Sequence, residues 1–235
     1  MNTSEREIPL KKQFFRGFIR AIPVMMGYFP VGFAFGVLAA NAGISPFSAM
    51  AMSVMIYAGS GQLMAISLIE SGVTVFTLTL SVFLINLRHL LMSTYLAPFL
   101  SHLKRWQQAF FAFEMTDEAF AVHSSAFQKN HIAPPGEIIF LNICAHSSWI
   151  ISGFLGAYLG DRLAVDTDIY GLDFALPGMF IFLLIMQIRS NRLLFIAIIA
   201  GLLSTTLLLS GLGHWYIILA TIAAATLGML TEKRA

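Results

Sequence analysis

Residues 81–100 read SVFLINLRHLLMSTYLAPFL, twenty positions that hold one formal charge, Arg88. A stretch of that length and polarity suffices to cross the roughly 30 Å hydrocarbon core of a bilayer as a helix. The same character extends outward on both sides. Between Ala21 and Leu103 the only charged residues are Glu70 and Arg88. Across all 235 residues, 57% are hydrophobic and 11% are charged, and the mean hydropathy is +0.78. A water-facing surface takes about 25% charged residues, so this chain has less than half of what an aqueous fold requires. That excludes a soluble enzyme, a nucleic-acid binder and a disordered chain. The sequence reads as an integral membrane protein.

The apolar runs are long and continuous, without the alternation of barrel strands, so the spans are helices. The expected fold is an all-α, polytopic membrane protein with broken or re-entrant helices, in one domain, residues 1–235. About eight segments qualify, near 18–40, 45–69, 73–100, 107–127, 138–160, 172–188, 193–210 and 214–231; seven remain if one turns back. Residues 1–17 mix acids and bases with no short apolar core, which predicts a retained cytoplasmic tail and not a signal peptide. Arg6, Lys11, Lys12, Arg16 and Arg20 place that end inside. Arg189, Arg192, Lys233 and Arg234 place the last loop and the tail there too, whereas Asp161, Asp166, Asp168 and Asp173 suit the outer side. Eight crossings then leave Lys104 and Arg105 outside, against the usual bias, unless an earlier segment fails to cross.

Several segments are poor uniform helices. Pro23 and Pro30 interrupt the first, Tyr57-Ala58-Gly59-Ser60-Gly61-Gln62 the second, and Pro177-Gly178 the sixth. Proline removes a backbone hydrogen bond and crowds the preceding turn. Breaks at bilayer depth persist only where protein or a water-filled cavity receives the freed groups, and in secondary transporters they form the substrate site. Close packing through small residues is the alternative. It is the better reading for Gly32 and Gly36, whereas residues 57–62 favour a site because packing calls for neither Ser60 nor Gln62.

Arg88 is flanked by Asn86 and His89. An arginine at the centre of a membrane helix costs about 2.5–3.5 kcal/mol on insertion scales, so it is expected to face the bundle interior. Three roles stand open: gripping a carboxylate with its planar fork, forming a structural ion pair, or snorkelling to an interface. Glu114, Asp117 and Glu118 are the available counter-charges. Their spacing predicts one acidic stripe on one helix, serving proton coupling, an ion pair, or a wetted interfacial face. Clustered carboxylates in low dielectric cannot all stay ionised cheaply. Asn142 and His146 sit one turn apart and suit an interhelical hydrogen bond or a proton relay. Cys144 reads as a packing residue. No metal-ligand set, nucleophile motif or ATPase motif is present, and no cofactor is expected.

YAGSGQ at 57–62, NLRHLLMS at 86–93, TDEAFA at 116–121 and LDFALPGMF at 172–180 together resemble the AzlC/YgaZ family, the larger subunit of bacterial branched-chain amino acid exporters. The resemblance covers essentially the whole chain. It implies export of leucine, isoleucine, valine or methionine across the inner membrane, with a small membrane subunit of the AzlD/YgaH type as partner. The break reads Gly61-Gln62-Leu63 where the family pattern leads one to expect Ala-Gln-Phe. A zwitterion needs an anion-binding group, a cation-binding group and an apolar pocket. Candidate substrate-binding residues are Tyr57, Gly59, Ser60, Gln62, Asn86, Arg88 and His89, with Glu114, Asp117 and Glu118 for proton coupling. The rival readings are a passive channel or structural subunit, and a membrane-embedded enzyme using the acids.

Overall fold

The computed structural model describes residues 8–128, 133–163, 190–211 and 215–231, together with positions 171, 174, 177, 178, 181, 184, 185 and 188. Contacts divide the chain into two compact units, residues 1–177 and 178–235. The first unit holds seven α-helices among the described residues: α1 (Leu10–Asn41), α2 (Pro46–Met55), α3 (Gly59–Glu70), α4 (Val75–Leu96), α5 (Arg105–Phe113), α6 (Asp117–Gln128) and α7 (Pro135–Leu163). A 3₁₀ turn, Ala97–Leu100, follows α4. The second unit holds α8 (Asn191–Leu209) and α9 (Trp215–Leu230). Among the described residues, four helical stretches are long and apolar enough to cross a membrane: Leu10–Asn41, Val75–Leu100, Pro135–Gly160 and Asn191–Leu209.

The spine of the first unit is the seam between α1 and α7, which run parallel. Gly17 lies against Phe140 and Leu141, Gly32 against Ser152, Gly36 against Gly153 and Ala157, and Val37 against Gly160. A β-carbon on Gly36 would overlap the Gly153 carbonyl and the Ala157 amide, and one on Gly156 would overlap the Phe33 carbonyl. Gly32 and Gly36 therefore serve close packing, the small-residue mode of membrane helices. Pro23 and Pro30, expected to break the first segment, lie inside one continuous 32-residue helix. In lipid, no solvent waits to take the freed carbonyls, so staying helical is the cheaper course. The Ser148 hydroxyl donates to the Met25 carbonyl, five residues before Pro30 (3.3 Å), which ties α7 to α1.

The segments at 45–69 and 107–127 are not single crossings. Each is a pair of half-length helices, α2/α3 and α5/α6, of 10, 12, 9 and 12 residues. At 1.5 Å per residue each spans about 14–18 Å, half the hydrocarbon thickness. Their contacts fix their directions. Going along α2, Phe47 meets Phe154 and then Ser53 meets His146, so α2 descends α7 from its far end. Ser60 then meets Arg88 and Gly61 meets Asn86, so α3 climbs back beside α4. Along α4 and its 3₁₀ extension, Arg88, Tyr95 and Phe99 meet Asp117, Phe120 and Phe127 in turn. That makes α4 parallel to α6. Along α6 the partners on α7 fall, with Glu114, just before the helix, on His146 and His123 on Asn142. Hence α4 and α6 run opposite to α1 and α7, and both half-helix pairs are re-entrant hairpins. One enters from the end where α1 finishes, the other from the end where α1 starts.

Local sequence explains the turns at the far end. Gly43-Ile44-Ser45 ends α1 and starts α2, and Gly72-Val73-Thr74 does the same for α3 and α4. Gly43 (φ 76°) and Gly72 (φ 63°) take the left-handed conformation that glycine tolerates. Ser45 and Thr74 then cap the next helix, accepting from Ser48 N–H and Thr77 N–H. Both hairpins follow a long helix that runs toward their own side, so α1–α3 and α4–α6 form the same motif in inverted orientation. Lys104 and Arg105 now lie at the end where α1 begins, the same end as Lys11, Lys12 and Arg16, which removes the conflict with the positive-inside bias.

This topology has a direct check. In a Cys144→Ala background, Ser71→Cys is expected to react with an impermeant maleimide from the same side as Ala42→Cys. Ser101→Cys is expected to react from the opposite side. Eight uninterrupted crossings would exchange the sides of positions 71 and 101.

In the second unit, Arg192 at the start of α8 donates to the Gly228 carbonyl (2.7 Å) and Thr231 Oγ1 (3.1 Å) at the end of α9. A guanidinium on the last carbonyls of a helix also complements its dipole.

Candidate functional site

The two hairpin tips, residues 56–58 and 114–116, meet at mid-depth between α1, α4 and α7. The first tip forms because Gly59 and Gly61 leave room for large neighbours. A β-carbon on Gly59 would press on the Trp149 ring at 2.8 Å, and one on Gly61 would meet Asn86 Nδ2 at 2.8 Å. Ile56 (φ −124°, ψ 58°) and Ala58 (φ −149°, ψ 85°) leave the helical region. No side chain caps α3, and its first backbone bond is Gln62 N–H to the Ala58 carbonyl (2.9 Å). The amides of Gly59, Ser60 and Gly61 thus precede the helical ladder and present the positive end of α3 at mid-depth.

The second tip forms differently. Glu114 is the C-cap of α5, and Thr116 Oγ1 accepts from Ala119 N–H (3.2 Å), capping α6. Asp117 and Glu118 occupy the first turn of α6, where carboxylates complement the dipole. The acidic stripe expected on one helix is therefore split among three partners. Glu114 Oε1 faces His146 Nδ1 (3.0 Å), Asp117 Oδ2 faces Arg88 Nη2 (2.9 Å), and Glu118 Oε2 accepts from the Tyr28 hydroxyl (2.8 Å). The physical reason is the break at residues 114–116, which rotates Glu114 away from the other two.

Arg88 points into the bundle, and the same Nη2 also donates to Ser60 Oγ. Gln62 is buried and fully engaged: its amide nitrogen donates to Ser53 Oγ (3.3 Å), and its oxygen accepts from Trp149 Nε1 (2.9 Å). The Tyr57 ring stacks on His146 (3.9 Å between centroids, 15° between planes) and meets Tyr28 edge-on. His146 Nε2 reaches the Ser53 carbonyl (3.0 Å) at the end of α2. Tyr28 Oη also lies 2.5 Å from Thr116 Oγ1. The centre thus combines one guanidinium, one bare helix end, three carboxylates and an imidazole.

Of the candidate residues, Tyr57, Gly59, Ser60, Gln62, Asn86, Arg88, Glu114, Asp117 and Glu118 come together here. His89 is half-buried on α4 and makes no hydrogen bond among the described residues. Pro177 and Gly178 are described but flanked by residues outside the described set, as is most of the 172–188 segment. Asp166, Asp168, Asp173, Arg189, Lys233 and Arg234 also lie outside it. The sequence did not single out Tyr28 or Ser53, and Thr116 entered only as the first residue of TDEAFA. Thr116 carried a signal, since a threonine before Asp117-Glu118 is a helix-start pattern. Tyr28 and Ser53 carried none.

Residues 23–163, which contain both hairpins, match the family described as AzlC protein. A membrane protein of Archaeoglobus fulgidus is 32% identical over 180 residues, 76% of this chain and 78% of that one. The inner membrane protein YgaZ of Escherichia coli is 30% identical over 231 residues, 95% of this chain and 91% of that one. The branched-chain amino acid transport protein AzlC of Bacillus subtilis is 26% identical over 227 residues, 94% of this chain and 85% of that one. No solved structure matches.

Proposed function

The chain belongs to the AzlC family, and from that premise we propose that it exports branched-chain and related apolar amino acids by proton antiport. In this reading it is the larger subunit of a two-component secondary transporter, partnered by a small AzlD/YgaH-type subunit. It lies in the bacterial inner membrane with both termini cytoplasmic. The observation that carries the reading is Arg88 held between Ser60 and Asp117 at the bare end of α3. The name of the Bacillus subtilis relative supports the substrate class.

A zwitterion inserted between Arg88 and Asp117 exchanges one ion pair for two. Its carboxylate takes the guanidinium and the amides of Gly59, Ser60 and Gly61, and its ammonium takes Asp117. A proton on Asp117 removes the ammonium's partner, so proton and substrate exclude each other. Mutually exclusive binding is what antiport requires. The outer hairpin α2/α3 and the inner hairpin α5/α6 would close the two ends of the path. Discrimination among aliphatic side chains differing by one methylene is limited to about 1–3 kcal/mol, so several substrates are expected to pass.

Everted membrane vesicles containing the chain and its small partner are expected to accumulate radiolabelled leucine when the interior is made acid. Nigericin, which collapses the pH gradient, is expected to abolish the accumulation. Accumulation indifferent to nigericin would refute proton coupling, and its absence under every gradient would refute leucine export.

A further inference from the structure

Below the midplane, toward the end where α1 and α7 begin, a second set of polar groups is buried that the substrate site does not use. Asn142 lies one turn from His146 along α7, and its Oδ1 is 2.9 Å from His123 Nε2 on α6. Five residues nearer the start of α7, Glu137 pairs with Arg20 of α1 at 2.6 Å. His123, Asn142 and Glu137 are each 1% exposed. Two polar atoms in this column, Asn142 Nδ2 and Glu114 Oε2, are buried without a hydrogen-bond partner among the described residues. Buried polar atoms are seldom left so, and these two flank the gap between His123 and the His146–Glu114 pair.

We propose that His146–Glu114, Asn142–His123 and Glu137–Arg20 form a proton route from the midplane site to the N-terminal end of the bundle. In axial rise along α7 the stations are about 6 Å and 7.5 Å apart at 1.5 Å per residue, and water held by polar partners joins them in this route. The proton passes through water from the His146–Glu114 pair to His123 and on to the Glu137 carboxylate, each N–H or O–H bond breaking as the next forms, while Asn142 and Arg20 carry no proton and hold His123 and Glu137 in place. His123 is the relay because its imidazole, held at Nε2 by Asn142 Oδ1, can take a proton at Nδ1 and give it back. Phe111 (4.9 Å) and Phe127 (6.1 Å) pack on its ring and seal it from the sides. The charged and titratable groups around it are Arg20 from α1, Glu137 and His146 from α7, Glu114 closing α5, and Asp117 and Glu118 on α6 itself. A route is needed because α5/α6 closes this end with Leu96, Leu100, Phe111, Met115, Phe127 and Ile138. At the substrate site, Glu118, Tyr28 and Thr116 form a hydrogen-bonded chain that ends two residues from Glu114.

This route rests on the antiport reading above, and the test separates the two. Leucine–leucine exchange at equal pH moves no net proton, whereas accumulation driven by an acid interior does. In everted vesicles, His123→Gln keeps an amide for Asn142 but cannot take a proton. It is expected to retain exchange within twofold of wild type and to lose at least tenfold in driven accumulation. His123→Glu restores a titratable group and is expected to recover accumulation. Wild-type accumulation by His123→Gln would overturn the route. So would loss of exchange together with accumulation in both variants, which would make His123 a packing residue. Wild-type protein that exchanges leucine but ignores the gradient would overturn proton coupling, and the route with it.

Discussion

Arg88→Lys is expected to lower leucine export at least tenfold while the protein reaches the membrane in wild-type amounts. The guanidinium lies between Ser60 and Asp117, which belong to different hairpins, and Asp117 Oδ2 is 2.9 Å away. Lysine keeps the charge but replaces a planar, forked donor with one compact ammonium on a flexible stem. It can hold Asp117 or take a substrate carboxylate, but it cannot present two parallel donors to the latter. A hydrogen bond to a charged group contributes about 1.5–3 kcal/mol, which corresponds to roughly 10- to 150-fold in affinity. Radiolabelled leucine export, normalised to protein detected in the membrane, measures this. Export at the wild-type rate would remove Arg88 from the substrate site and leave it as an ion pair tying α4 to α6.

Gly36→Leu is expected to abolish the folded state, the largest stability effect in the first unit. The position faces backbone on α7, namely the Gly153 carbonyl and the Ala157 amide. Backbone cannot rotate aside as a side chain can, so α1 and α7 would have to separate along their parallel seam. Losses above about 4–5 kcal/mol belong to disruptions of this kind. Gly27 on the same helix provides the control, because a β-carbon added there would meet nothing within 4 Å. Gly27→Leu is expected to leave the protein monodisperse by size exclusion in mild detergent, and Gly36→Leu to yield aggregate. Equal behaviour of the two would show that the seam is not where the fold is held.

The membrane class was legible because hydropathy and charge placement depend only on composition along the chain. The first break was legible for the same kind of reason: Gly59 and Gly61 around Ser60 are poor choices for a uniform helix. The second break was not. Residues 113–118 read Phe-Glu-Met-Thr-Asp-Glu, without glycine or proline, and the three-and-four spacing of the acids mimics one helical face. The turn there is set by tertiary partners, with His146 holding Glu114 and Tyr28 holding Thr116 and Glu118. Direction was legible only in part: Lys104 and Arg105 signalled that a segment before them turns back, but not which one. A pair of half-length helices presents the same run of apolar residues as one full crossing, and hydropathy cannot tell a return from a passage. Pro23 and Pro30 misled in the opposite sense, because a helix in lipid has no better place for its backbone than to continue.

The inverted order of α1–α3 and α4–α6 has a bearing on thermodynamics. Two gates of nearly equal length, each hung on a long helix pointing its own way, are approximate counterparts under a half-turn about an axis in the membrane plane. In the carrier proposed here, exchanging their postures would convert an inward-open state into an outward-open one with little change in the kinds of contact made. The two postures would then lie close in free energy, and the proposed carrier would have no built-in preference for either side of the membrane. Which way cargo flows is left to the gradients on either side, and reversing them should run the same protein backward.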